Sequence, residues 1–122
     1  MTRLLKTLKV DAKPSVQTQW DRQRATAAHI LERFDEGHDV QLLGDEVGMG
    51  KTYVALAVMA EHLLGAEEPS RVLLVTPASA VLRTKWEQEV RSFGQNYVSG
   101  TERQLQPMQV NTFWELVANL HD

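Results

Sequence analysis

The stretch Val40-Gln41-Leu42-Leu43-Gly44-Asp45-Glu46-Val47-Gly48-Met49-Gly50-Lys51-Thr52 decides the reading of this 122-residue chain. It opens on a short apolar run and passes through Gly44, Gly48 and Gly50. It then enters residues 51–64, which have helical character. Strand, tight loop, helix is the simplest order that fits. Such a turn has a chemistry. A triphosphate needs many donors at close range, and glycines let backbone N–H groups turn inward without side-chain obstruction. A helix beginning near Lys51 aims its unpaired N–H groups and the positive end of its dipole at the same anion. Lys51 is then placed to bridge the β- and γ-phosphates, and the Thr52 hydroxyl to ligate the accompanying magnesium ion.

The general phosphate-loop pattern G-x-x-x-x-G-K-[ST] is met only as a variant, because Asp45 stands where the first glycine belongs and Gly44 lies one residue early. A glycine-rich turn with an exposed lysine would explain the glycines, but not why Lys51 and Thr52 follow them. Asp45-Glu46 also ends an apolar run, as do the carboxylate pairs that bind magnesium and activate water in many ATPases. These two lie inside the loop itself and cannot also be the strand opposite it. No other apolar run in the chain ends in Asp-Glu.

Working outward, residues 19–34 carry Ala27, Ile30, Leu31 and Phe34 at three- and four-residue spacings, a helical face that Gly37 closes. After the glycine loop and its helix comes a turn at residues 65–70. Val72-Leu73-Leu74-Val75 then reads as a buried parallel strand stopped by Pro77. Residues 79–93 place Val81, Leu82, Trp86, Val90 and Phe93 on one helical face, with Gly94 in a C-cap position. Residues 108–110 fit a third short strand. Thr112 and Glu115 have capping-box spacing before Leu116, Val117 and Leu120. Strands alternating with helices predict an α/β fold, a parallel sheet flanked by helices. Ahead of it, residues 1–18 form a basic leader in which Arg3, Lys6, Lys9 and Lys13 face a single acid, Asp11. Its readings are a solvated arm or a nucleic-acid-binding arm.

Composition narrows the class. A hydrophobic content of 43% and a charged content of 24% are those of a soluble globular protein rather than a disordered or membrane chain. The net charge of -3 gives no bulk attraction to nucleic acid, so any such contact must come from a local patch. With no cysteine there is no disulfide framework and no thiolate metal site, which fits the cytoplasm. His29, His38, His62 and His121 lack ligand spacing for zinc. Trp86 and Trp114 sit on apolar helical faces, where core packing competes with base stacking.

Leu42 to Thr52, taken with Asp45-Glu46 before the glycines, resembles motif I of the Swi/Snf-type helicase-like ATPases of helicase superfamily two. Val72-Leu73-Leu74-Val75-Thr76-Pro77-Ala78-Ser79, continuing to Trp86 and Glu89, looks like motif Ia and its helix. Gln23, within Trp20-Asp21-Arg22-Gln23, is similar to the glutamine that recognises adenine in that family. The resemblance implies a partial RecA-like first lobe over residues 19–122. It implies ATP and magnesium held by Asp45, Glu46, Val47, Gly48, Met49, Gly50, Lys51 and Thr52, with Thr52 on the metal. It also implies contacts from Thr76, Ser79, Arg83 and Lys85 to a nucleic-acid backbone, expected to be double-stranded DNA, in a motor completed by a second lobe or a second chain. A DExx box and an arginine finger are missing from the 122 residues, so the resemblance is to an N-terminal fragment and leaves its enzymatic status open. Placement would be cytoplasmic, nucleoid-associated or nuclear, with no membrane. Two other readings stand beside it: another superfamily-two helicase or restriction motor, and a non-catalytic nucleotide-binding or interaction module.

Overall fold

A computed structural model describes residues 5–44, 50–68, 70–99 and 105–120. A single 3-10 turn, Pro14–Val16, leads into α1, Gln17–Asp35. Proline suits that first position because its fixed φ is helical and the missing N–H would be unpaired there anyway. α1 ends where its periodicity ends. Gly37 takes φ 99°, its N–H donates to the Phe34 carbonyl at 3.0 Å, and His38 N–H donates to Arg33 at 3.1 Å. That left-handed closure satisfies carbonyls the helix would otherwise leave open.

α2, Lys51–Gly65, is the centre of the molecule, with α1 packed along it and α3, Ala80–Tyr97, in contact as well. Ala27 and Ala28 on α1 and Ala57 and Ala60 on α2 are all buried. Small residues on both helices allow close axial approach, so the pair is held by dispersion over many short contacts. α3 starts at Ser79, whose hydroxyl accepts from Leu82 N–H at 3.3 Å, as an N-cap should. It runs through Gly94 for another turn, correcting the expected stop there. The extra turn carries Tyr97, whose ring stacks on Phe93 with centroids 5.3 Å apart and lies 4.6 Å from Trp20. Packing of that aromatic turn outweighs glycine's poor helix propensity, which costs roughly 1 kcal/mol. The last helix, α4, Phe113–Leu120, shows the expected capping: Glu115 N–H donates to the Thr112 hydroxyl at 3.1 Å, and the Glu115 carboxylate accepts from Asn111 N–H at 2.9 Å.

The expected parallel sheet, and with it the α/β RecA-like architecture, is overturned. Among the described residues the only β-type pairing is one antiparallel bridge, Leu8 to Val98, and the fold is helical. Residues 40–44, 72–75 and 108–110 are not strands. They leave apolar side chains in solvent, Leu42 at 93% and Val75 at 80% exposure. The physical reason is that an apolar β-branched run becomes a strand only when a neighbour completes its hydrogen-bond ladder. None does so here among the described residues. Trp114 likewise departs from the core reading at 76% exposure, touching Phe113 edge to face at 5.8 Å, whereas Trp86 does pack against the core.

Within the described part of the leader the solvated-arm reading fails at Thr7 and Leu8. Leu8 and Thr7 are buried, and Lys9 N–H donates to the Tyr97 carbonyl at 2.8 Å. The buried Trp20 indole N–H in turn donates to the Lys9 carbonyl at 2.9 Å, which ties leader and α1 together.

Candidate functional site

The site builds from Gly50. It adopts φ 78°, a left-handed conformation that glycine tolerates and side-chain-bearing residues resist, and it is the residue from which α2 starts. Among the described residues no side chain caps this helix end, and no acidic residue lies in its first turn. Its positive end is therefore not neutralised within the turn, the condition under which a helix N-terminus attracts an anion. Lys51 and Thr52, its first two residues, are half-buried. Asp45, Glu46, Val47, Gly48 and Met49, the body of the expected phosphate loop, lie outside the described residues.

Gln23 meets this corner from α1. A Cβ built on Gly50 would lie 2.0 Å from Gln23 Nε2 and 3.1 Å from its Cδ, so the amide rests directly on the Gly50 Cα. Two residues 27 positions apart, singled out in the sequence for separate reasons, are thus neighbours. The helix packing makes this possible: Gln23 sits between Trp20 and Ala27, which are both buried on α1.

Sequence reasoning missed Tyr53. It follows Thr52 and is partly exposed, and its ring lies 5.6 Å from Tyr97 and 6.3 Å from Phe93. Partial burial, with smaller contributions from Tyr97 and Glu89, pushes the Tyr53 hydroxyl above the ordinary tyrosine range. The only signal for it was an aromatic residue directly after Lys51-Thr52.

The expected nucleic-acid group sits at the start of α3. Ser79 spends its hydroxyl on the helix cap, and the Thr76 hydroxyl donates to the Pro77 carbonyl at 3.2 Å. Arg83 is half-buried, and its Nε is secluded without a hydrogen-bond partner. Lys85 is exposed. Among the described residues no hydrogen bond or ion pair joins this group to Gly50, Lys51 or Thr52. No cluster of acidic, histidine or cysteine residues able to hold a metal occurs among the described residues, and no helix there is long and apolar enough to cross a membrane.

The chain belongs with the helicase-like, ATP-dependent motors related to superfamily two. More narrowly, residues 18–115 match the family described as "Type III restriction enzyme, res subunit", and the chain belongs to that family. Neither the curated proteins nor the solved structures hold a significant match to it.

Proposed function

We propose that this chain binds ATP with magnesium, as the nucleotide-holding part of a nucleic-acid motor of the restriction-enzyme kind. The observation that carries the reading is the Gln23 amide seated on Gly50 at the start of α2. In this reading Lys51 supplies the point charge for the β- and γ-phosphates, and Thr52 supplies a magnesium ligand. Backbone N–H groups of residues 45–50 cradle the anion, and Gln23 reads the adenine edge. The base and the phosphates are then addressed from two helices whose mutual packing sets the distance between them.

The family match favours a restriction-type motor over a Swi/Snf-type one, because its description names the former and its range takes in both helices of the corner. Thr76, Ser79, Arg83 and Lys85 are proposed to meet the phosphate backbone of DNA, with Lys85 the most available of the four. The motor would act in the cytoplasm, with the remaining catalytic groups supplied by further sequence or a partner chain.

Calorimetric titration with ATP-magnesium tests the reading. Lys51→Ala removes a charge that backbone donors cannot replace, and should weaken binding tenfold or more, about 1.4 kcal/mol. Equal affinity in variant and parent would remove the phosphate-site assignment. Turnover separates a motor part from a self-sufficient enzyme. Hydrolysis needs a residue that orients the attacking water and positive charge on the transition state, so the 122-residue chain alone should bind ATP without DNA-stimulated hydrolysis above background.

A further inference from the structure

Among the described residues Glu61 is the one acidic residue of the buried core, 1% exposed near the C-terminal end of α2. Its carboxylate accepts from Thr7 N–H at 3.0 Å, from the Thr7 hydroxyl at 2.7 Å and from Lys6 N–H. Gly65, one turn on, leaves the carboxylate its room, since a Cβ there would stand 3.2 Å from Oε1. A buried carboxylate is tolerated only when its lone pairs are filled, and among the described residues the side-chain and loop donors that fill them, Lys6 and Thr7, come from the leader.

The gripped leader holds two other elements. Ser99 N–H donates to the Thr7 carbonyl at 2.7 Å and Lys9 N–H to the Tyr97 carbonyl at 2.8 Å, which fastens it to the end of α3. The Lys9 carbonyl accepts from Trp20 Nε1 at 2.9 Å and Arg24 Nη1 at 3.4 Å, which fastens it to α1 on both sides of Gln23. The rest of α1 is anchored on α2 further along, at Ala27, Ala28 and Leu31. The turn bearing Gln23 therefore lies between the half of α1 packed on α2 and a half secured by the buried Trp20 ring and by leader backbone: the Lys9 and Val10 carbonyls and the Ala12 N–H, the last two bonded to Gln17.

We infer that Glu61 is a positioning residue for base selection: by clasping residues 6 and 7 it holds the first turns of α1 down, and so keeps the Gln23 amide on Gly50. The inference rests on the reading of Gln23 as the adenine contact. Release of the clasp lets the Gln23 turn lift while Lys51 and Thr52, on α2 itself, keep their places. Base discrimination is lost and phosphate affinity is retained.

The test uses the full chain in three forms: parent, Glu61→Gln and Leu8→Asp. Glu61→Gln sets an amide N–H₂ against a backbone donor. Leu8→Asp breaks the clasp from the leader side and leaves every helix sequence untouched. Tryptic cleavage after Lys6 and Lys9 reports leader release, and calorimetry measures ATP, GTP and inorganic tripolyphosphate, each with magnesium. Both variants should be cut faster and should lose about tenfold of the parent's preference for ATP over GTP, the worth of one hydrogen-bonded contact. Tripolyphosphate affinity should stay within about twofold. A freed leader with the preference intact would overturn the proposal, as would a parallel loss for all three ligands, which marks a merely structural role. A parent that binds ATP and GTP equally would instead sink the Gln23 reading beneath it. A parent that binds no tripolyphosphate would sink the phosphate corner.

Discussion

The pair α1 and α2 and the segment at residues 70–78 both carry runs of apolar side chains, yet they end in opposite environments. On the helices Leu31, Leu56, Ala57 and Ala60 are within 2% of full burial. On the segment Leu73 is 63% exposed and Val75 80%. A helix satisfies its own backbone and needs only a surface to lie on, whereas an extended run needs a neighbour's N–H and C=O groups before its side chains can be covered. The difference is therefore one of partners, not of hydrophobicity.

Mutation should expose that difference most sharply in stability. Phe93→Ala empties a site lined by Trp20, Tyr53 and Tyr97 and should cost about 3–5 kcal/mol. Val75→Ser should change the unfolding free energy by less than about 0.5 kcal/mol, and urea denaturation of the two variants side by side checks both. A large loss for Val75→Ser would mean that the segment is covered after all.

Next in size is the corner itself. Gly50→Ala meets both an adverse φ and the Gln23 amide, so it should destabilise the chain by about 1–2 kcal/mol. Removing the amide with Gln23→Ala should relieve part of that loss in the double variant, and a double-mutant cycle that is simply additive would deny the contact.

The smallest expected effect lies with Tyr53. Its hydroxyl titrates higher folded than unfolded, so the folded state holds the proton longer. This contribution is full below about pH 10 and declines as pH rises through the folded value, because the unfolded chain ionises first. Melting temperatures recorded between about pH 8 and pH 11 should fall less steeply at the alkaline end for Tyr53→Phe than for the parent.

What the sequence made legible follows the same division. α1, α2 and the capping of α4 could be read because periodicity, a closing glycine and the Thr112–Glu115 spacing are local signals that act on the residues carrying them. The sheet could not, because an apolar run such as Val72-Leu73-Leu74-Val75 states a need for partners without stating that they are met. The site divides likewise. Gly50, Lys51 and Thr52 stand together in the sequence, and Gln23 was noticed by resemblance, yet only the packing of α1 on α2 shows that Gln23 reaches Gly50. Glu61 gave no signal at all, since its donors, two backbone N–H groups and the Thr7 hydroxyl, lie 54 and 55 residues away.

The bond between Ser99 and Thr7 spans 92 residues. Closing so long a loop carries a larger entropic penalty than joining neighbouring helices, so contacts of high sequence separation tend to form once local ones are in place. The leader is thus synthesised ahead of α3 and is expected to find its place only after the end of α3 has been made. Until then Glu61 keeps its carboxylate in water. The burial of one acid near the end of α2 therefore serves as a timing mark for the completion of the fold.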